Sequence, residues 1–364
     1  MTQESVAKTL KQRLHRVAQS MGTESPLPYV GDLIERSFWL PQGDMHYAQN
    51  TLTPGTVPFE PSFSEQEPNT LRFTIEPLGP DAPPVIRRDE ATREMRRLVS
   101  HLFGGNALRW FDERSEEWRG LFPNPHLSYG AWFGNAYDRD GLHSSKIYYE
   151  LRPNELSALP LPLATLARIA LESMPALVPV FTTITCQRDN GKQRITFLHW
   201  NGLRLTDLNA LLSRLGLSHR LSAVMQVFGL ALGGRFDLPE RSLFVGLSGT
   251  PQEPELKLEV ALGMLPDLPP SFLRLLTLGL SERPRELQAM QRWLQAFTPE
   301  SYGWPGHFSI LSVCLTPNYP ARVSLYLRPI EFDLSQQQLD GFANGYQRTG
   351  IQNGGAILNG TGIA

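Results

Sequence analysis

The sequence predicts an α/β protein whose strands form a ten-stranded antiparallel barrel with helices outside. Three observations lead there. Five strand pairs follow one another along the chain, separated by helical segments, an internal repeat of supersecondary units rather than of letters. In the second strand of each pair, apolar and polar residues alternate with period two. Each polar face carries a cation at a similar position. A single half-buried strand accounts for such a pattern by turning its polar face to water. Five together, with enough helix to wrap every apolar face, point to a closed sheet around a polar lumen, and closure also removes the exposed edges. A ten-stranded barrel is wide enough to hold a ligand.

The elements follow in order. Residues 1–22 have the period of an amphipathic helix, whereas 23–56 are punctuated by Pro and Gly without a clear period. The first hairpin has strands near 57–63 and 70–77. Helices over 88–103, ended by Gly104-Gly105, and over 107–118 precede strands near 126–135 and 144–152. Asp138 and Asp140 read as turn formers between them. A helix at 160–173 leads to strands near 177–187 and 191–199, joined by Arg188-Asp189-Asn190-Gly191, where Asn-Gly is a strong hairpin signal. Helices at 205–215 and 218–231 precede strands near 241–248 and 254–263. Helices at 268–279 and 284–297 precede strands near 306–315 and 320–328, and a short helix is expected near 334–344. The predicted organisation is one barrel domain over 1–348 and a Gly/Asn-rich tail over 349–364.

Alternation assigns the faces. Leu71, Phe73 and Ile75 oppose Arg72, Thr74 and Glu76; Ile147, Tyr149 and Leu151 oppose Lys146, Tyr148 and Glu150. Ile195 and Phe197 oppose Arg194 and Thr196. Leu256, Leu258, Val260 and Leu262 oppose Lys257, Glu259 and Ala261, and Val323, Leu325 and Leu327 oppose Arg322, Ser324, Tyr326 and Arg328. Arg72, set between two apolar residues, needs a partner if buried, and Glu76 is the candidate. Lys257 and Glu259 have the spacing of an ion pair.

Composition narrows the function classes. Lys and Arg number 34 against 36 Asp and Glu, so no basic field for nucleic acid exists and any anion site is a local pocket. Cys186 and Cys314, the two cysteines of the chain, cannot build a thiolate zinc site or a disulfide framework, which favours a reducing cytoplasm. The N-terminal stretch has no apolar core of a signal peptide. The most apolar region, 158–181, is broken by Pro160, Pro162, Arg168, Glu172, Pro175 and Pro179, so no membrane span is expected. The histidines show no ligand spacing, and there is no aspartate-rich run, Walker motif, dinucleotide fingerprint or nucleophile elbow.

Glu60-Pro61-Ser62-Phe63, a polar turn, and Arg72-Phe73-Thr74-Ile75-Glu76-Pro77 together resemble the aromatic prenyltransferases of the dimethylallyltryptophan synthase type, the αββα repeat barrel. Trp110-Phe111, Lys146-Ile147-Tyr148-Tyr149 and Tyr326 in SLYLRP are similar to further pieces of that pattern, and the resemblance spans about residues 50–330. It implies a metal-independent enzyme that transfers a dimethylallyl or longer prenyl group from its diphosphate to an indole: tryptophan, or a tryptophan-derived peptide or alkaloid in natural-product biosynthesis. No cofactor is then required. Prenylation of a phenol or tyrosine-type acceptor at O or C, and a barrel that binds an anion without turnover, are the alternatives.

By the resemblance, Glu60 is the base that positions the acceptor, and Arg72, Lys146 and Arg194 bind diphosphate. Strand facing adds Lys257 and Arg322 to the diphosphate set. Tyr148 and Tyr326 would shield the allyl cation, and Tyr129, Trp132 and Phe181 would line an acceptor pocket. The chain departs from the family at Thr196, Leu198 and Glu259, and the tyrosine expected early in the fifth hairpin is missing, with His307 and Phe308 nearby. Prenyl length, acceptor identity, the position attacked and the choice between monomer and homodimer stay open.

Overall fold

A computed structural model describes residues 4–119 and 127–334 of the chain. Five hairpins are present: β1 (Phe59–Ser64) with β2 (Leu71–Ile75), β3 (Ala131–Asp138) with β4 (Gly141–Glu150), and β5 (Leu177–Gln187) with β6 (Gly191–His199). A two-residue ribbon of β7 (Leu203–Arg204) and β8 (Asp237–Leu238) intervenes before β9 (Leu243–Gly249) with β10 (Pro254–Ala261) and β11 (Gly306–Leu315) with β12 (Arg322–Pro329). The ten long strands close in the order β1-β12-β11-β10-β9-β6-β5-β4-β3-β2. Every neighbouring pair is antiparallel, and the ring is closed by β1 on β12 through Ser62 opposite Tyr326. The predicted ten-stranded barrel is therefore the observed one.

The alternation read from the sequence sets which side is the core. Leu71, Ile75, Ile147, Ile195, Phe197, Leu256, Leu258, Leu325 and Leu327 are all fully buried on the outer face. The helices that cover them are α1 (Val6–Met21), α3 (Pro84–Leu102), α4 (Gly105–Arg119), α5 (Leu161–Ser173), α8 (Phe272–Gly279) and α9 (Pro284–Phe297), with α6 (Asn209–Arg214) and α7 (Leu221–Ala231) between α5 and α8 in the chain. In α1, Val6, Leu10, Leu14 and Val17 recur at helical spacing and pack that helix on α9. α3 lies on β3 and β4, α4 on β5 and β6, and α5 on β9. Where the ring closes, Phe59 meets Phe73, Phe297 and Phe332 at centroid distances of 5.6–6.4 Å, and Phe63 meets Trp293 at 6.2 Å.

Three features differ from the sequence expectation. The aperiodic stretch 23–56 contains the helix α2 (Leu27–Ser37), with Val30, Leu33 and Ile34 buried. Its prolines, Pro26 and Pro28, sit at the start, where an absent N–H costs nothing because those donors have no intrahelical partner. The second hairpin turns later and more tightly than expected, β3 running to Asp138 and β4 beginning at Gly141. Glu76 is not the partner of Arg72. Its carboxylate pairs with Arg87 at 3.1 Å and accepts from Thr51 N, Thr51 Oγ1 and Leu52 N at 2.6–3.1 Å. Glu76 stands just beyond the last β2 residue, so it staples the 51–52 segment across one barrel end instead of facing Arg72. The tail at 349–364 and all but the first residue of the helix expected near 334–344 lie outside the described residues.

Phe59→Ala removes the ring shared by three other aromatics at the closure, so a loss of about 3–5 kcal/mol is expected. Urea denaturation of the variant checks this; an unchanged midpoint would show that the closure does not depend on that cluster.

Candidate functional site

The barrel encloses a cavity of about 600 Å³ whose walls are the polar faces predicted from alternation. The hairpin turns and strand ends at one end contribute Gln66, Glu67, Gln187, Lys192, Glu255, Tyr319 and Arg322. Toward the other end the lining passes to Leu52, Glu60, Trp132, Phe181, Phe244, Glu259 and Ile310. Side chains grow more buried in the same direction: Lys192 and Arg322 are 38% and 30% exposed, Lys257 11%, and the Glu60 residue 6%. The hairpin end is thus the wetter one.

All five cations named from the sequence line this cavity, joined by Lys192. Strand tilt and pairing bring most of them onto carboxylates. Arg72 bonds Glu67 at 2.5 Å. Lys192 and Arg194 share Glu255 at 2.5 and 2.6 Å. Lys257 bonds Glu259 and the Tyr326 hydroxyl, both at 2.6 Å. Arg322 reaches Glu286 on α9 at 3.3 Å. Lys146 makes no hydrogen bond or ion pair with any described residue. Burial, then repulsion from Arg72, Lys257 and Arg194, holds its ammonium pKa well below the usual value, with Glu67 opposing. Glu67 and Glu255 are both pushed down to about 2: burial works against their charge, but the facing cations, and for Glu67 also His143, outweigh it. The centre of the lumen is an excess of positive charge that an anion with several oxygens would neutralise.

Two glycines make room for these side chains. Gly246 on β9 stands between Thr196 and Lys257, and a Cβ there would lie 3.0 Å from Arg194 Cδ. Gly134 on β3 stands between Thr74 and Lys146, and its Cβ would lie 3.4 Å from the Tyr148 ring.

Glu60 lies at the drier end. Burial pushes its carboxyl up to about 7, against a hydrogen bond from Ser309 Oγ at 2.6 Å and the charges of Arg328 and Lys257. Ser309 reaches it because the β11–β12 register slips between Phe308 and Leu311, which turns the extra residue inward. Early in the fifth hairpin, where the resemblance led to a tyrosine being expected, Ile310 lines the cavity. Phe308 packs on Phe272 instead, and His307 is largely exposed. Tyr148 and Tyr326 both line the lumen as neutral phenols. Burial pushes Tyr148 up to about 12 and Tyr326 well above its ordinary value.

Tyr129, Trp132 and Phe181 form a small aromatic cluster of their own with Leu52, Tyr148 and Val180. Trp132 and Phe181 line the cavity. Tyr129 does not; it stacks on Trp132 at 4.3 Å and donates to the Val180 carbonyl. Trp132 Nε1 donates to Thr51 Oγ1, which is held by Glu76, so the staple described above also fixes this wall. Thr196 and Glu259 are at the lining, whereas Leu198 is buried away from it. Trp110 packs over Gly191, and Phe111 is core. Sequence reasoning missed Glu67, Glu255, Lys192 and Ser309. Lys192 and Glu255 share the parity of Arg194 and Lys257 and were legible; Ser309 depends on the bulge and was not. Among the described residues no three His, Cys, Asp or Glu side chains come together as a metal site would need, and no helix is long and apolar enough to cross a membrane.

No protein-family model matches the chain, and no curated protein matches it by sequence. Solved structures do match it in shape. A 6-dimethylallyl tryptophan synthase superposes with a TM-score of 0.70 at 15% identity, covering 92% of this chain and 99% of the other. The 5-dimethylallyltryptophan synthase from Streptomyces coelicolor gives 0.67 at 16% identity, covering 91% and 99%. The prenyltransferase PriB, solved with L-tryptophan and dimethylallyl thiolodiphosphate, gives 0.64 at 17% identity, covering 90% and 97%. Nearly the whole of each chain is matched, so the fold of this protein is the prenyltransferase barrel of the dimethylallyltryptophan synthase type.

Proposed function

We propose that the protein is an aromatic prenyltransferase that moves a dimethylallyl or longer prenyl group from its diphosphate onto an indole, without a metal ion. One observation carries the reading: a buried carboxyl poised near neutrality shares an aromatic-walled lumen with a desolvated lysine that has no ion-pair partner among the described residues, amid further cations. That pairing of a base with an anion seat suits a reaction that expels diphosphate and then loses a ring proton. The described structures of similar fold include one holding both L-tryptophan and a dimethylallyl thiolodiphosphate.

In this reading Arg72, Lys146, Arg194 and Lys257 bind the diphosphate, with Arg322 nearer the wet end. The carbon–oxygen bond of the donor breaks and its electron pair leaves with the diphosphate, whose growing charge the cations stabilise. Glu67 and Glu255 are the counter-ions from which Arg72, Lys192 and Arg194 are drawn when the donor enters. Lys146 has no ion-pair partner among the described residues, so it can meet the donor without breaking one. The faces of Tyr148 and Tyr326 stabilise the allyl cation and exclude water. The indole ring, held against Trp132 and Phe181, attacks through carbon, and its N–H donates to Glu60. The same carboxylate accepts the proton lost when the ring regains aromaticity.

Purified protein given dimethylallyl diphosphate and an indole is expected to form a product heavier by one prenyl group, and to do so in EDTA. Strict dependence on magnesium in the same mass-spectrometric assay would overturn the metal-free mechanism. Glu60→Gln is expected to lower kcat by about 10²–10⁴-fold, the usual worth of a general base, with the circular dichroism spectrum unchanged. Because the carboxyl titrates near 7 and the base form is the ionised one, kcat/KM is expected to fall about tenfold per unit as pH drops below about 7. A profile flat from pH 5 to 8 would remove Glu60 from the base role. Lys146→Met is expected to raise KM for the donor by at least about tenfold, that is about 1.4 kcal/mol, in initial-rate measurements.

A further inference from the structure

Glu60 is one of two buried carboxylates at the drier end of the lumen. Glu259 on β10 is 8% exposed and lines the same cavity beside Phe244, its cross-strand partner. The two are close enough for Glu259 to contribute to the raised pKa of Glu60. Each has one oxygen engaged. Glu60 Oε1 accepts from Ser309, and Glu259 Oε1 accepts from Lys257. The second oxygen of each accepts from no described side chain. Two open carboxylate oxygens thus face a cavity whose opposite wall is Trp132, Phe181 and Leu52.

The cations are distributed the other way. The cations that act most on Glu60 are Arg328, which does not line the cavity, and Lys257, whose ammonium is already shared between Glu259 and Tyr326. Arg72, Lys192 and Arg194 are drawn toward Glu67 and Glu255 at the hairpin end. An acceptor bearing a free carboxylate would set a further negative charge beside Glu60 and Glu259 in a site of low dielectric, where Lys257 already has a carboxylate partner and Lys146 serves the donor diphosphate. An acceptor bearing an ammonium would meet an open, buried oxygen instead. A charge-assisted hydrogen bond of that kind is among the stronger ones a binding site can make.

Building on the prenyltransferase reading, we propose that the acceptor is an indole amine with no free carboxylate, its ring N–H on Glu60 and its ammonium on Glu259. Glu259 is then a specificity residue rather than only the counter-ion of Lys257. When the donor diphosphate draws on Lys257, the charge that Glu259 loses from that side is replaced by the acceptor's ammonium. This gives an order to binding, in which donor in place strengthens the seat for the amine.

The test uses the full chain with three acceptor probes: tryptamine, its uncharged N-acetyl derivative, and L-tryptophan. With dimethylallyl diphosphate, kcat/KM for tryptamine is expected to exceed that for N-acetyltryptamine by about tenfold and that for L-tryptophan by about 100-fold, in line with one gained and one unpaired buried charge. Glu259→Gln is expected to shrink the tryptamine to N-acetyltryptamine ratio to near one. Loss of the Lys257 counter-ion alters donor binding for every acceptor alike, so the ratio isolates the ammonium contact. Preference for L-tryptophan, or a ratio unmoved by Glu259→Gln, overturns the proposal. Calorimetric titration of the three probes in the presence of inorganic diphosphate separates it from the transferase reading. Selective tryptamine binding that Glu259→Gln abolishes, without turnover of any probe, supports the amine site and sinks the transferase. Equal or absent binding of all three sinks the amine site.

Discussion

Closing a sheet of alternating strands into a ring gathers the polar side chains of ten strands into one lumen, and here those chains include six Lys and Arg residues. Like charges at such density repel strongly in a dry interior, so the barrel holds together only if something neutralises them. Three carboxylates do part of this: Glu67 for Arg72, Glu255 for Lys192 and Arg194, and Glu259 for Lys257. Lys146 has no such partner among the described residues, and burial, then repulsion from Arg72, holds its pKa down. The protein without ligand is thus balanced by internal counter-ions, which the proposed diphosphate would replace. Each replacement exchanges one ion pair for another inside the same walls, which limits the desolvation cost of binding.

The two ends of the lumen divide the chemistry. Hairpin turns at one end admit water to Lys192 and Arg322, while the 51–52 segment, clamped by Glu76 and Arg87, forms part of the other. Dryness at that end raises the Glu60 carboxyl to about 7 and keeps Tyr148 and Tyr326 as phenols. The same clamp fixes the indole N–H of Trp132 through Thr51, so an ion pair at the barrel end, Arg87 with Glu76, helps hold the aromatic wall.

The departures from the family pattern at Thr196, Glu259 and the fifth hairpin become coherent in space. Glu259 stands beside Phe244, Ile310 lines the wall, and the bulge just before Leu311 delivers Ser309 to Glu60. Fewer tyrosines leave a lumen with more hydroxyl and carboxylate character. In the proposed reaction that would favour hydrogen bonding to the acceptor over aromatic enclosure of the donor at this point of the wall.

Period-two alternation is a local property, and it sufficed to predict the five hairpins, the inward face of each second strand and the positions of Arg72, Lys146, Arg194, Lys257 and Arg322. Short motifs around Glu60 and Tyr148 were equally legible, because the residues that make them are adjacent in the chain. Helix α2 was missed since its prolines read as breaks until their place at a helix start was known. What the tertiary structure alone decided is who partners whom. The mistaken pairing of Arg72 with Glu76 shows why: Glu76 lies just past the end of β2, whereas Glu67 comes from the turn before it, and only the strand end distinguishes them. Ion pairs such as Arg194 with Glu255 and hydrogen bonds such as Ser309 to Glu60 span 61 and 249 residues of sequence. They depend on barrel tilt and on one slipped register, quantities that belong to the closed ring and to no single strand.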